Sequence, residues 1–209
     1  MLKTSKPTTL REIAKGVYVY IGGGGLTNFG LVLTKDKPVV IDSDMRVRNR
    51  FIKGMRQVTR KNTGIVFNTH HNFDHTSDNR YHALRGAVTI GSEFTRREMG
   101  PEMETKGVAH HLRNGFNLER RAPNLGIDPP MVTFRDRLEI RYGGRLFRII
   151  HFGHCHTKGD SVIWMPEEKI LFAGDLIAYR SHTASSQGNF DNWRQALNRL
   201  KKFPARRFV

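Results

Sequence analysis

Apolar positions recur with two different periods along this chain, and the switches between them mark its elements. Val17 to Ile21, Phe29 to Thr34 and Pro38 to Ile41 are β-branched or aromatic stretches separated by glycine or charged turns, which predicts a meander of strands. From Arg46 to Arg60 the period lengthens. Val47, Phe51, Met55 and Val58 recur at helical spacing, and Arg46, Arg48, Arg50, Lys53, Arg56 and Arg60 take the remaining faces of a basic amphipathic helix. Gly64 to Asn68 then reads as a short buried strand, Ser77 to Leu84 as a helix and Ala87 to Ile90 as a strand, a β-α-β-α-β succession. Strands resume at Met131 to Phe134, Leu138 to Arg141, Leu146 to His151, Ser161 to Met165 and Ile170 to Ala173. A last helix places Trp193, Leu197 and Leu200 at i, i+4 and i+7, with Asp191 near its start and Lys201 and Lys202 at its end, as the helix dipole favours. Between Arg96 and Pro130 the chain is polar and rich in Arg, Asn, Gly and Pro, which predicts helical fragments and part of a substrate rim. Strands followed by helices, twice over, predict an α/β fold of two sheets face to face with helices outside. No repeat, low-complexity block or linker divides residues 1–209, so a single domain is expected.

Composition narrows the function classes. The longest strongly apolar runs, such as Ile65 to Phe67, fall far below the roughly 20 residues of a membrane span. The start, Met1-Leu2-Lys3-Thr4-Ser5-Lys6-Pro7, has no apolar stretch behind it and does not read as a secretory signal, so a cytoplasmic location is favoured and an exported mature form stays open. One cysteine, Cys155, excludes an internal disulfide framework and a cysteine-based zinc finger. Lys and Arg number 35 against 19 Asp and Glu, a formal charge of +16. That charge permits nucleic acid as a partner through the basic helix, but a solvated helix face is the plainer reading, and a small-molecule substrate is favoured. Oligomeric state is left open. Gly22 to Gly25 lead into Leu26-Thr27-Asn28-Phe29, which reads as strand, so they form a loop and not a phosphate cradle at a helix start.

Candidate chemistry concentrates in Thr69-His70-His71-Asn72-Phe73-Asp74-His75, directly after the buried strand. Imidazole nitrogen and carboxylate oxygen are good zinc ligands. A second strand-end loop carries His151, His154 and His156, and a third strand is followed by Asp175. Three strand ends that deliver His and Asp residues form a site pattern and not a surface patch.

These residues resemble the metallo-β-lactamase fold superfamily of metal-dependent hydrolases, from Val17 onward. The hallmark His-x-His-x-Asp-His after a strand stands here as His70-His71-Asn72-Phe73-Asp74-His75. The later histidine of the family matches His156 in Gly153-His154-Cys155-His156, its metal-bridging aspartate matches Asp175 in Phe172-Ala173-Gly174-Asp175, and its upstream supporting aspartate matches Asp42 in Val40-Ile41-Asp42-Ser43. The resemblance implies a four-layer αββα sandwich of two mixed sheets. It also implies two zinc ions, the first on His70 and His156, the second on Asp74 and His75, with Asp175 bridging them; iron or manganese stays compatible. Asp74 would orient the hydroxide that the ions share, and Asp42 would fix the ligand loop from behind.

Two departures from the family pattern stand out. Asn72 occupies the place of the second motif histidine, and its amide oxygen is a poor third ligand, so the first site is expected to be weakened, with His71 a candidate substitute. The last family histidine, in a Pro-Gly-His-Gly turn, has no counterpart: the chain reaches Phe208-Val209 where that strand would begin, and a truncated C-terminus is the expectation. The implied activity is hydrolysis of a small ester, thioester, lactone or amide, a β-lactam included. The alternatives are a phosphodiesterase or nuclease of the same fold, and a catalytically weak metal-binding member. Among the other histidines, His154 reads as a wall residue and His182 as a substrate-pocket side chain or a loop residue. His82, His110 and His111 default to the surface, and Cys155 reads as a buried thiol.

Overall fold

The structure, a computed structural model, describes residues 10–22, 27–105, 128–179 and 182–209. Its first sheet runs in sequence order through β1 (Leu10–Ala14), β2 (Val17–Tyr20), β3 (Phe29–Val32), β4 (Val39–Ile41), β5 (Ile65–Phe67), β6 (Val88–Ser92) and β7 (Val132–Phe134). Pairing is antiparallel from β1 to β4 and parallel from β4 to β7. The change has a covalent cause: α1 (Arg48–Val58) and the short helices α2 (Phe73–Thr76) and α3 (Asn79–Ala83) supply the crossovers that parallel neighbours need. Helix α4 (Glu93–Thr105) follows β6. The second sheet contains β8 (Arg137–Tyr142), β9 (Arg145–His151), β10 (Ser161–Met165), β11 (Ile170–Phe172) and β12 (Arg207–Phe208) in the order β12-β11-β10-β9-β8. There β12 pairs parallel to β11 and the rest antiparallel, so both sheets are mixed.

Residue alternation fixes the layers. Val39 and Ile41 of β4, Ile163 and Met165 of β10, and Ile170 and Phe172 of β11 all point into one apolar cluster between the sheets. Their neighbours face outward. Val40 joins Phe29, Leu31, Phe51 and Met55 in a cluster beneath α1, and Val162, Trp164 and Leu171 join Ala196 and Leu200 of α5 (Phe190–Leu200) on the far side. Helix, sheet, sheet and helix therefore stack as four layers, because these strands are apolar on both faces.

Two expectations change. The buried stripe of α5 is Trp193, Ala196 and Leu200, while Leu197 is 38% exposed, since i, i+3 and i+7 from Trp193 face the sheet and Leu197 lies beyond that stripe. His82 is not a surface residue: α3 turns it inward, 2% exposed, and burial, followed by the charges of Arg48 and Arg85, lowers its pKa to about 3. Most of the polar middle, including His110 and His111, lies outside the described residues, as do Gly23 to Gly25. Arg48, a member of the basic helix, reaches across to pair with buried Asp78.

Candidate metal centre

The ends of β4, β5 and β11 and the β9–β10 loop converge at one end of the sandwich. Asp42, the first residue past β4, sits at φ +59°, a left-handed conformation that Asp and Asn tolerate better than other non-glycine residues. Its amide donates to Phe67 O at 2.8 Å, which ties the end of β4 to the end of β5. Its buried carboxylate accepts from Thr69 N at 2.8 Å, Thr69 Oγ1 at 2.7 Å and His75 Nδ1 at 2.9 Å. One carboxylate thus fixes the start of the histidine-rich segment and the ring of His75 near its end. Asn68 and Asn79 brace the same turn by exchanging side-chain amide bonds at 2.8 and 3.0 Å.

His70, His156 and Asp175 each present a ligand atom within 4.8 Å of the other two, and among the described residues they are the one such group of three. His70 is 1% exposed, with Nδ1 3.0 Å from Thr69 Oγ1 and Nε2 buried without a hydrogen-bond partner. Burial, reinforced by nearby His75, holds its pKa well below the ordinary histidine range. A neutral imidazole with an unpartnered buried nitrogen is an electron-pair donor suited to a cation, so the residues present fit a metal. His156 places Nε2 3.6 Å from Asp175 Oδ2. Asp175 lies in a 3-10 turn, Gly174–Leu176, whose first residue has φ +53°; a Cβ there would stand 2.6 Å from Thr69 Oγ1, so only glycine lets β11 end this close to the β5 loop. Burial alone would raise the pKa of Asp175, but His75, then His70 and His156, hold it well below the carboxylate range.

Asp74 and His75 stand beside this group. His75 Nε2 is 3.3 Å from Asp175 Oδ1 and 3.7 Å from Asp74 Oδ2. Burial opposes its charge, yet Asp74, Asp42 and Asp175 outweigh burial and raise its pKa well above the ordinary value. Asn72 points inward, with Nδ2 3.0 Å from His156 Nε2, so its amide meets a ring nitrogen of the group directly. His71 is 4% exposed and lies outside the group of three. His154 bonds Gln187 O through Nε2 at 2.6 Å, and Cys155 is wholly buried, its thiol pushed up to about 12 by burial and by Asp160.

A cleft of about 760 Å³ opens over Asp74, His75 and Asp175. Ile21, Ile177 and Tyr179 give it apolar walls, and His182 lies on its rim, exposed. Four residues at the site have no role assigned from the sequence: Thr69, Thr27, Arg46 and Asp44. Thr69 adjoins the histidine segment and could have been found there. Thr27 and Arg46 reach Asp74 from 47 and 28 positions away, across gaps that no local pattern bridges.

The Metallo-beta-lactamase superfamily profile matches residues 22–209. The metallo-beta-lactamase type 2 of Bacteroides fragilis is 31% identical over 113 residues, a match that spans 51% of this chain and 44% of that protein. The Bacillus cereus metallo-beta-lactamase type 2 is 23% identical over 93% of this chain and 72% of its own length. Among solved structures, metallo-beta-lactamase IND-7 superposes with a TM-score of 0.75 at 19% identity, covering 96% of this chain and 88% of that one. The metallo-beta-lactamase from Pontibacter korlensis gives 0.72 at 19% identity over 93% and 86%. At these identities the structural likeness speaks to the fold.

Proposed function

The chain belongs to the metallo-beta-lactamase superfamily, and from that premise we propose that it is a zinc-dependent hydrolase of a small ester, thioester, lactone or amide, β-lactams included. The observation that carries the reading is the buried, unpartnered Nε2 of His70 beside His156 and Asp175. His70, His156 and Asp175 would hold one ion, and Asp74 and His75 would share Asp175 with a second. Bound zinc supplies a Lewis acid for the substrate oxygen and lowers the pKa of a water at the site.

The remaining work falls to the protein's own groups. Asp74, its side chain 32% exposed to the cleft, accepts a hydrogen bond from the attacking water and aims it. Asp42 keeps the Nδ1 proton of His75 engaged, which leaves Nε2 toward the cleft and fixes the ring. Ile21, Ile177 and Tyr179, exposed on the cleft wall, receive an apolar substrate portion.

Metal analysis of the purified chain, followed by chromogenic ester, thioester, lactone and β-lactam substrates, tests the reading. Zinc retention lost in His70→Ala and Asp175→Ala, together with hydrolysis by the parent, is the expected result. A parent that holds no metal refutes it. One observation favours a second reading, that of a weakly catalytic metal binder: the Asn72 amide occupies the Nε2 atom of His156 at 3.0 Å. Less than one zinc per chain with no turnover of any substrate would select it.

A further inference from the structure

Asp74 enters the cleft with one oxygen already engaged. Thr27, in the β2–β3 connection, donates its hydroxyl to Asp74 Oδ2 at 2.6 Å, and the same hydroxyl oxygen lies 3.3 Å from His75 Nε2. Arg46 faces that carboxylate oxygen from 3.8 Å, and is itself held by Asp44, which accepts from its Nε at 2.6 Å. A hydroxyl carries one proton. At 2.6 Å from a carboxylate that proton is committed to Asp74 and is not shared with His75.

A threonine in a strand connection could bond a nearby carboxylate merely to close its own loop. Here that closure is made elsewhere: Gly22 N donates to Asn28 Oδ1 at 3.1 Å across the same connection. The Thr27 contact instead spans 47 residues and ends on a cleft carboxylate. Its β-branched side chain also has few χ1 choices, which makes the hydroxyl a stiff reference point for the carboxylate.

We infer that Thr27 is a positioning residue of this site: its hydroxyl, with Arg46 behind, fixes the rotation of the Asp74 carboxylate and so sets how Asp74 addresses metal and water. The inference rests on the role given to Asp74 above. A carboxylate released from this contact still reaches the cleft but spends less time in the productive orientation, so turnover falls while substrate affinity does not.

Thr27→Val removes the donor at nearly constant shape, and Thr27→Ser restores it. The valine variant should lose about 10- to 100-fold in kcat and in zinc affinity by titration calorimetry, with KM within about twofold of the parent. The serine variant should recover most of both, the urea midpoints of the parent and the serine variant should agree, and that of the valine variant should fall only by the loss of one hydrogen bond. A valine variant with the parent's kcat and zinc affinity overturns the inference, as does a serine variant as impaired as valine. If Thr27→Val does not fold, Thr27→Ala carries the same expectation. A parent without zinc or turnover refutes the hydrolase reading itself, a result distinct from a parent that is active and indifferent to Thr27.

Discussion

Replacing Asp42 by Asn isolates the charge of one carboxylate from its shape. Asparagine accepts the φ of +59° at this position, so backbone strain does not enter the comparison. Three donors converge on the native carboxylate, Thr69 N, Thr69 Oγ1 and His75 Nδ1, at 2.7 to 2.9 Å. The amide can accept with one atom only. If its oxygen takes Thr69 N–H, its NH2 faces the threonine hydroxyl, which can rotate to accept, and His75 Nδ1, which can accept only after giving up its proton, so that the ring's remaining proton sits on Nε2. The variant therefore loses a charge-assisted hydrogen bond at His75 and weakens another at Thr69, about 3 kcal/mol in all when such bonds are worth about 1.5–3 kcal/mol each. The tautomer change matters more for function, because a protonated Nε2 is no ligand; zinc affinity should fall by about 10- to 100-fold. Urea unfolding in chelator reads the first quantity, and zinc titration calorimetry reads the second. If Asp42→Asn unfolds within about 0.5 kcal/mol of the parent and binds zinc as tightly, Asp42 does not organise the centre and the reasoning fails.

Three further outcomes are expected. Asn72→His replaces an amide with an imidazole beside His156 and should raise zinc affinity and occupancy in titration calorimetry; an unchanged isotherm would mean that another donor already serves there. His82 has a native pKa of about 3 against an unfolded value of 6.5, so the unfolded chain binds the extra proton and stability, full above pH 6.5, is lost as pH falls toward 3. At pH 5.5 the loss is about 1.4 kcal/mol, and the stability difference between parent and His82→Leu should shift by that amount between pH 7.5 and 5.5; parallel curves in urea melts would contradict it. Cys155, buried and with its thiol near 12, should resist an aromatic disulfide reagent in the native protein and react with one equivalent in urea, so rapid native labelling would count against its burial.

The strands that bury both faces were legible because runs such as Ser161 to Met165 and Val39 to Ile41 admit no amphipathic helix. Strand β1 was not: Leu10–Ala14 mixes charged and apolar residues at a sheet edge, where only one neighbour constrains it. The histidines and Asp175 announced themselves by residue type at strand ends. His82 did not, since burial of a lone histidine depends on which way a five-residue helix turns against Arg48 and Tyr81, a tertiary fact. Thr27 and Arg46 were equally silent, because a hydroxyl or guanidinium gains its meaning only from the carboxylate placed before it. Asn72 was read as a weakened ligand; the structure adds that its amide engages His156, a contact between residues 84 positions apart.

Asp42, Asp74 and Asp175 gather at one end of a chain that carries +16 overall, and this creates two fields of opposite sign at different ranges. At low ionic strength, where the Debye length reaches about 30 Å, a divalent cation is repelled by the net charge of the whole molecule before the carboxylates can attract it, and at physiological salt that repulsion is largely screened. An anion experiences the reverse, drawn in from afar and opposed at close range until the carboxylates are neutralised. Metal uptake should therefore quicken as ionic strength rises, while capture of any anionic ligand slows.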